Sequence, residues 1–220
     1  MIRHNAEEFH QRVVGYPLNE SQLYIATRDI PINPSPEGPW ICGGSVRKTI
    51  QKVELDSDLD VFFKTQEQRD DVFNKLLKHN PRIEYQHHKE SGLAVTNLYF
   101  SKKTPFFDWI TVGGPKSSEV KVQLISYGFF DSIEKVLDSF DFTIAQFGYD
   151  GKDFVTGPYS LFDLGRMRLA VHKITYPVSN MRRLLKYTSQ GFYACNGCLG
   201  ELALGIHELD NINLDMVYVD

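Results

Sequence analysis

The run Cys42-Gly43-Gly44-Ser45-Val46-Arg47, followed by Asp58-Leu59-Asp60, constrains this chain more than any other feature. Two adjacent glycines let a backbone turn sharply and approach an anion closely. The helix expected after them, Ser45 to Lys52 with Val46 and Ile50 on one face, aims its free N–H groups and positive dipole end at that turn. Asp58 and Asp60 lie two apart beside the apolar run Leu59, Val61, Phe62, Phe63. Side chains alternate on a strand, so both carboxylates face one side. A phosphate cradle beside two hard oxygen donors suits a nucleoside triphosphate and two metal ions, Mg²⁺ or Mn²⁺, with Asp58 and Asp60 as metal ligands.

The order Gly43-Gly44-Ser45-Val46-Arg47, Asp58-Leu59-Asp60, Asp141-Phe142-Thr143-Ile144, Phe162-Asp163-Leu164 with Arg168, and the stretch from Met181 to Phe192 resembles the DNA polymerase β-like nucleotidyltransferase superfamily. The nearest branch is the head domain of class II tRNA CCA-adding enzymes and bacterial poly(A) polymerases. Short nucleotidyltransferase-like proteins of large DNA phages are also similar. The resemblance implies an α+β fold: a mixed sheet backed by helices (a head, residues 1–158) followed by a helical neck-like segment (159–220). It implies Asp58, Asp60 and Asp141 as catalytic residues, Asp141 alternatively holding ribose. It further implies Gly43, Gly44, Ser45, Arg47, Arg182, Arg183 and Lys186 as nucleotide ligands. Arg182 and Arg183 are adjacent, so they point about 100° apart on a helix and one of them reaches the phosphates.

The chain also departs from that pattern. The third acid of the family falls at Gln123, an amide; it is absent, or supplied by Asp108 or Asp141. The acidic pair that reads the base in CCA-adding enzymes has no counterpart near Ile174 to Val178, so the preferred base is open, with ATP or CTP the expected partners. At 220 residues the chain is too short for the body and tail domains that grip tRNA.

Charge refines these expectations. The formal net charge of −4 argues against a protein coated for nonspecific DNA binding. Yet from Leu164 to Gln190 the charges are Arg166, Arg168, Lys173, Arg182, Arg183 and Lys186, with no acid among them. Arginine forks and a lysine point charge suit phosphate oxygens. Three cysteines cannot make a full disulfide framework, which points to a reducing cytoplasm, that of the host for a phage protein. Cys195 and Cys198 sit in a Gly-rich bend; the structural reading is favoured over zinc, for which Cys42 and His207 are the nameable partners.

Further elements follow from periodicity. Helices are expected over 6–14, 65–79, 132–140, 160–172, 178–190 and 199–208, and strands over 40–42, 59–63, 82–88, 93–100, 121–126 and 144–149. Residues 29–39 hold Pro31, Pro34, Pro36 and Pro39 and read as a surface loop. Three functions fit: nucleotidyl transfer to an RNA or tRNA 3′ end, transfer to a protein or small molecule, or nucleotide binding without chemistry.

Overall fold

A computed structural model describes residues 1–53, 55, 57–87, 94–101 and 119–209. Its centre is a mixed sheet of eight strands in the order β1-β8-β7-β2-β3-β6-β5-β4. The strands are β1 (Ile2–Asn5), β2 (Trp40–Cys42), β3 (Leu59–Phe62), β4 (Arg82–His87), β5 (Ala94–Ser101), β6 (Glu119–Ile125), β7 (Phe147–Tyr149) and β8 (Asp153–Thr156). Within it β3 and β6 run parallel, and the other neighbours are antiparallel. The helices are α1 (Ala6–Phe9), α2 (Gln22–Asp29), α3 (Gly44–Gln51), α4 (Gln66–Leu77), α5 (Ile133–Asp138), α6 (Ser160–Gly165), α7 (Pro177–Ser189) and α8 (Asn196–His207). A short parallel pair, β9 (Arg168–Leu169) and β10 (Tyr193–Ala194), joins the last three helices.

Alternation along the strands sorts the core into two layers. Ile41, Leu59, Val61, Phe63, Leu98 and Leu124 face the larger cluster, which takes in Val46 and Ile50 of α3, Val72 and Leu76 of α4, and Leu184 and Leu202 of α7 and α8. Trp40, Cys42, Phe62, Val95 and Ile125 face the smaller one, built on Ile133, Val136 and Leu137 of α5. Burial of these side chains, at about 25 cal/mol per Å² of apolar surface, holds the helices to the sheet.

On the α5 side the registers align one row of residues across five strands: Gly148, Cys42, Asp60, Gln123 and Asn97. The next row, Trp40 opposite Phe62, is apolar. Polar residues therefore gather where the apolar layer ends, and that edge positions the site.

Several elements differ from expectation. The strand over 144–149 begins as a 3₁₀ turn, Thr143–Ala145, and only Phe147–Tyr149 joins the sheet. The helix over 160–172 stops at Gly165, and Met167 takes a left-handed φ of 52°. The chain then reverses so that the Arg168 Nε donates to Asp163 Oδ1 at 2.7 Å. The 29–39 segment buries Ile30 and Ile32 although its prolines keep it irregular. The residues around Lys89 to Gly92, and Asp108, lie outside the described residues. Among the described residues no helix is long and apolar enough to cross a membrane.

Gly151, in the turn between β7 and β8, has φ +85°, and a Cβ there would land on the Pro34 carbonyl. Gly151→Ala is therefore expected to lose roughly 2 kcal/mol or more of stability, from strain and overpacking together. Urea unfolding measures this; an unchanged midpoint would refute the turn as drawn.

Candidate active site

Gly43 ends β2 and caps α3 with φ 87° and ψ −136°, a backbone state open to glycine. Its N–H donates to the Phe147 carbonyl at 2.7 Å, tying the turn to β7. A Cβ at this position would meet Asp60 Oδ2 at 3.4 Å, so the turn packs directly against that carboxylate. Ser45 is fully buried in the first turn of α3. The first N–H groups of any α-helix lack intrahelical acceptors, and here they open beside the carboxylates.

Asp58 and Asp60 are close enough to repel. The Asp60 carboxyl is pushed up to about 8, first by burial and then by the charge of Asp58. Lys186, Lys121 and Arg183 act in the opposite direction without offsetting this. Lys121 also donates from Nζ to Asp58 Oδ2 at 2.8 Å. These acids suit a divalent ion: without one, burial and the Asp58 charge keep a proton on Asp60, and a cation between the two would take that proton's place. Magnesium is commonly held by one or two carboxylates plus substrate phosphates. Among the described residues no group of three or more His, Cys, Asp or Glu side chains is arranged around one point. Asp58 and Asp60 are hard oxygen donors of the kind Mg²⁺ or Mn²⁺ takes.

Helix α7 supplies the facing cations. Asn180, Arg183 and Tyr187 recur at helical spacing and share one side. Asp141, 7% exposed, accepts from Asn180 Nδ2 at 2.6 Å and from Arg183 Nη1 at 2.7 Å. This pins the middle of α7 beside the carboxylates. Arg183 and Lys186 both act on Asp60, whereas Arg182 is exposed and not among the charges acting there. The structure thus separates the two adjacent arginines, as helix geometry requires.

Arg47 goes elsewhere. It is 3% exposed, donates to Gln190 Oε1 at 2.9 Å, and stacks over the rings of Phe192 and Tyr187 at 4.9 and 5.5 Å. It packs α3 against α7 instead of presenting its guanidinium to open phosphate surface. Tyr187 meets Phe142 edge-on at 5.6 Å and belongs to the core rim. Burial pushes its hydroxyl up to about 12.

Asp163 is fully buried and accepts from Thr143 Oγ1 at 2.6 Å as well as from Arg168. It braces the Asp141–Thr143 segment from behind. Cys195 caps α8 and its thiol points to the Leu169 carbonyl at 3.5 Å; Cys198 is buried, which pushes its thiol up to about 11.

Two site residues escape sequence reasoning. Lys121 looks like an ordinary polar strand position until the β3–β6 register sets it beside Asp58. Tyr127, after β6, keeps part of its ring exposed while its hydroxyl is held up to about 12 by burial and by Asp60, Cys42 and Asp141, with Arg183 opposing.

Residues 20–166 match the family described as Gad2, Gabija anti-defense 2 family protein. The chain belongs to this Gabija anti-defense 2 family. The match includes Gly43, Asp58, Asp60, Lys121, Gln123 and Asp141 and stops before α7. No curated protein matches the chain. The fold, a large mixed sheet backed by helices, is similar to that of the Thermotoga maritima CCA-adding enzyme complexed with tRNA, with a TM-score of 0.57 and 16% identity over 94% of this chain and 46% of that one. It is likewise similar to a CCA-adding enzyme in complex with ATP (TM-score 0.56, 16% identity, 94% and 47% covered). The complex with CTP gives a TM-score of 0.55 and 15% identity, with 94% and 47% covered. The chain spans about half the length of those enzymes.

The raised Asp60 has a consequence for stability. Its folded value, about 8, exceeds the ordinary 3.8, so the folded protein holds a proton that the unfolded chain releases between those values. The associated stability is complete below the lower value and is lost as pH rises through the upper one. Asp60→Asn keeps the neutral form at every pH. It should melt several degrees above the metal-free parent at pH 8, at about 2–4 °C per kcal/mol for a chain of this size, with a smaller gain at pH 5. Thermal melts across pH test this; a gain that shrinks as pH rises would refute it.

Proposed function

We propose that the protein is a metal-dependent nucleotidyltransferase. It moves a nucleoside monophosphate from an NTP, ATP or CTP, to an acceptor hydroxyl and releases pyrophosphate. The observation that carries this reading is that Arg183 and Lys186 act on Asp60, next to Asp58, with the Gly43 turn against Asp60. The fold shared with enzymes bound to ATP, CTP and tRNA supports an NTP substrate and an RNA acceptor. The family description supports a setting in which the transfer disables a component of the Gabija defence, which would place the protein in the cytoplasm of a phage-infected host.

In this reading Asp58 and Asp60 hold Mg²⁺ or Mn²⁺. When bound, the ion neutralises phosphate charge and increases the acidity of the acceptor hydroxyl. Arg183 and Lys186 neutralise charge on the β- and γ-phosphates, which grows as pyrophosphate leaves. Gly44 and Ser45 line the phosphate approach through backbone N–H groups, and Gly43 gives the turn its close approach. Asp141 is a positioning residue, because it holds Arg183 and Asn180, and Arg47 positions α7 through Gln190. Tyr127 offers an aromatic edge at the rim for a base. A second reading, nucleotide binding without transfer, draws on Gln123, an amide where a third acid would stand.

Incubation with each of four α-labelled NTPs, Mg²⁺ or Mn²⁺, and total cellular RNA plus protein extract separates the two. Label should appear on RNA or protein with the parent and fall at least about 10³-fold with Asp58→Ala, since an essential ligand is removed. Comparable labelling by Asp58→Ala would sink the assignment, whereas nucleotide binding without labelling in the parent would favour the second reading.

The two sides of α7 should also separate. Lys186→Ala is expected to weaken NTP binding about tenfold, the loss of one charge-assisted contact, and Arg182→Ala less than about twofold. Equal effects in a nucleotide titration would contradict the facing described above.

A further inference from the structure

The strand beside the two acids presents an ammonium and an amide. β6 runs parallel to β3 with Gln123 opposite Asp60, and strand alternation sets Lys121 on the same face. Lys121 Nζ donates to Asp58 Oδ2 at 2.8 Å, with both side chains at least two-thirds buried. Gln123, 1% exposed, gives its amide N–H to Asn97 Oδ1 at 2.8 Å. Neither position adds negative charge to the site.

Two divalent ions at one centre each need about six ligands, and carboxylate oxygens must bridge them to offset their charge. Here one oxygen of Asp58 already serves an ammonium. The neighbouring strand offers a neutral amide engaged with Asn97. Among the described residues no third His, Cys, Asp or Glu joins the pair. Among the described residues this leaves Asp60 and the other oxygen of Asp58 for metal, ligands enough for one ion that brings the rest on phosphates and water.

We infer that Lys121 stands in for a second cation, so that the site takes one divalent ion per bound nucleoside triphosphate. The inference rests on the nucleotidyltransferase reading and deepens it. A lysine ammonium is a compact point charge with three donors. Carried on a central strand, it neutralises Asp58 whether or not nucleotide is present. It also makes the empty site a poor trap for free metal, because an ion approaching the acids alone must compete with a resident cation. Lys121 is thus a specificity residue that ties metal capture to arrival of the triphosphate.

The test is a count of bound Mn²⁺ by electron paramagnetic resonance on the full chain, with saturating α,β-methylene-ATP, or α,β-methylene-CTP where the ATP analogue does not bind. The parent should bind one Mn²⁺ per nucleotide complex and bind free Mn²⁺ poorly. Lys121→Met should bind Mn²⁺ without nucleotide about tenfold more tightly, the scale on which neighbours of metal ligands act. Lys121→Glu should raise the count toward two. Circular dichroism and melting check that each variant folds, and the parent count stands without them. Two ions in the parent, or an unchanged Mn²⁺ affinity in a folded Lys121→Met, would overturn the inference alone. Failure of the parent to bind either analogue would remove the nucleotidyltransferase reading and the inference with it.

Discussion

The carboxylate of Asp141 is the contact on which the site depends. Its backbone carbonyl accepts from the N–H groups of His172 and Lys173, and its side chain accepts from Asn180 and Arg183. One residue thereby fixes both the segment entering α7 and the middle of the helix. A buried ion pair is weak evidence for net stability, because desolvation offsets much of the attraction. It is stronger evidence for position, since losing Arg183 would leave the buried Asp141 carboxylate short of a charged partner. The basic face of α7 is therefore held where Asp60 feels it, although Lys186 itself is exposed.

Asp163 repeats the device at Thr143, two residues after Asp141. It binds Thr143 and Arg168, so the chain from α6 to α7 wraps around Asp141-Phe142-Thr143 with a carboxylate at each end. Phe142 fills the space between, fully buried and edge-on to Tyr187. Polar groups set direction here and apolar ones fill volume, the combination that satisfies buried charge without loosening the core.

Much of this was legible in the sequence where local chemistry decides it. The glycine turn, the first helix and the Asp58–Asp60 spacing follow from short-range rules and hold in the structure. So does the divergence of Arg182 from Arg183. What stayed hidden depends on pairing between distant segments. β1 is too short to signal itself and exists because it pairs with β8, about 150 residues away. Lys121 acquires meaning from a parallel register no local pattern encodes. The helix over 160–172 fails because Arg168 gains more from Asp163 than from another helical turn, and Met167 adopts a left-handed φ to allow it. Arg47 fits the motif of a phosphate ligand, yet two aromatic rings and Gln190 give its guanidinium a partner inside the fold.

The two halves of the site also differ in mechanical character. Asp58 and Asp60 border a strand whose Leu59 and Val61 are at most 1% exposed and which is hydrogen-bonded on both sides. Displacing it would disturb β2, β6 and the core together, so the carboxylates are fixed. Arg183 and Lys186 ride on a helix tied in by Asp141, Arg47, Leu184 and Tyr187, and Lys186 is exposed. Adjustment to a ligand then falls on α7. In the proposed reaction this division would put the groups that meet reacting atoms on the sheet, and those that neutralise diffuse phosphate charge on α7, where a small error in distance costs less.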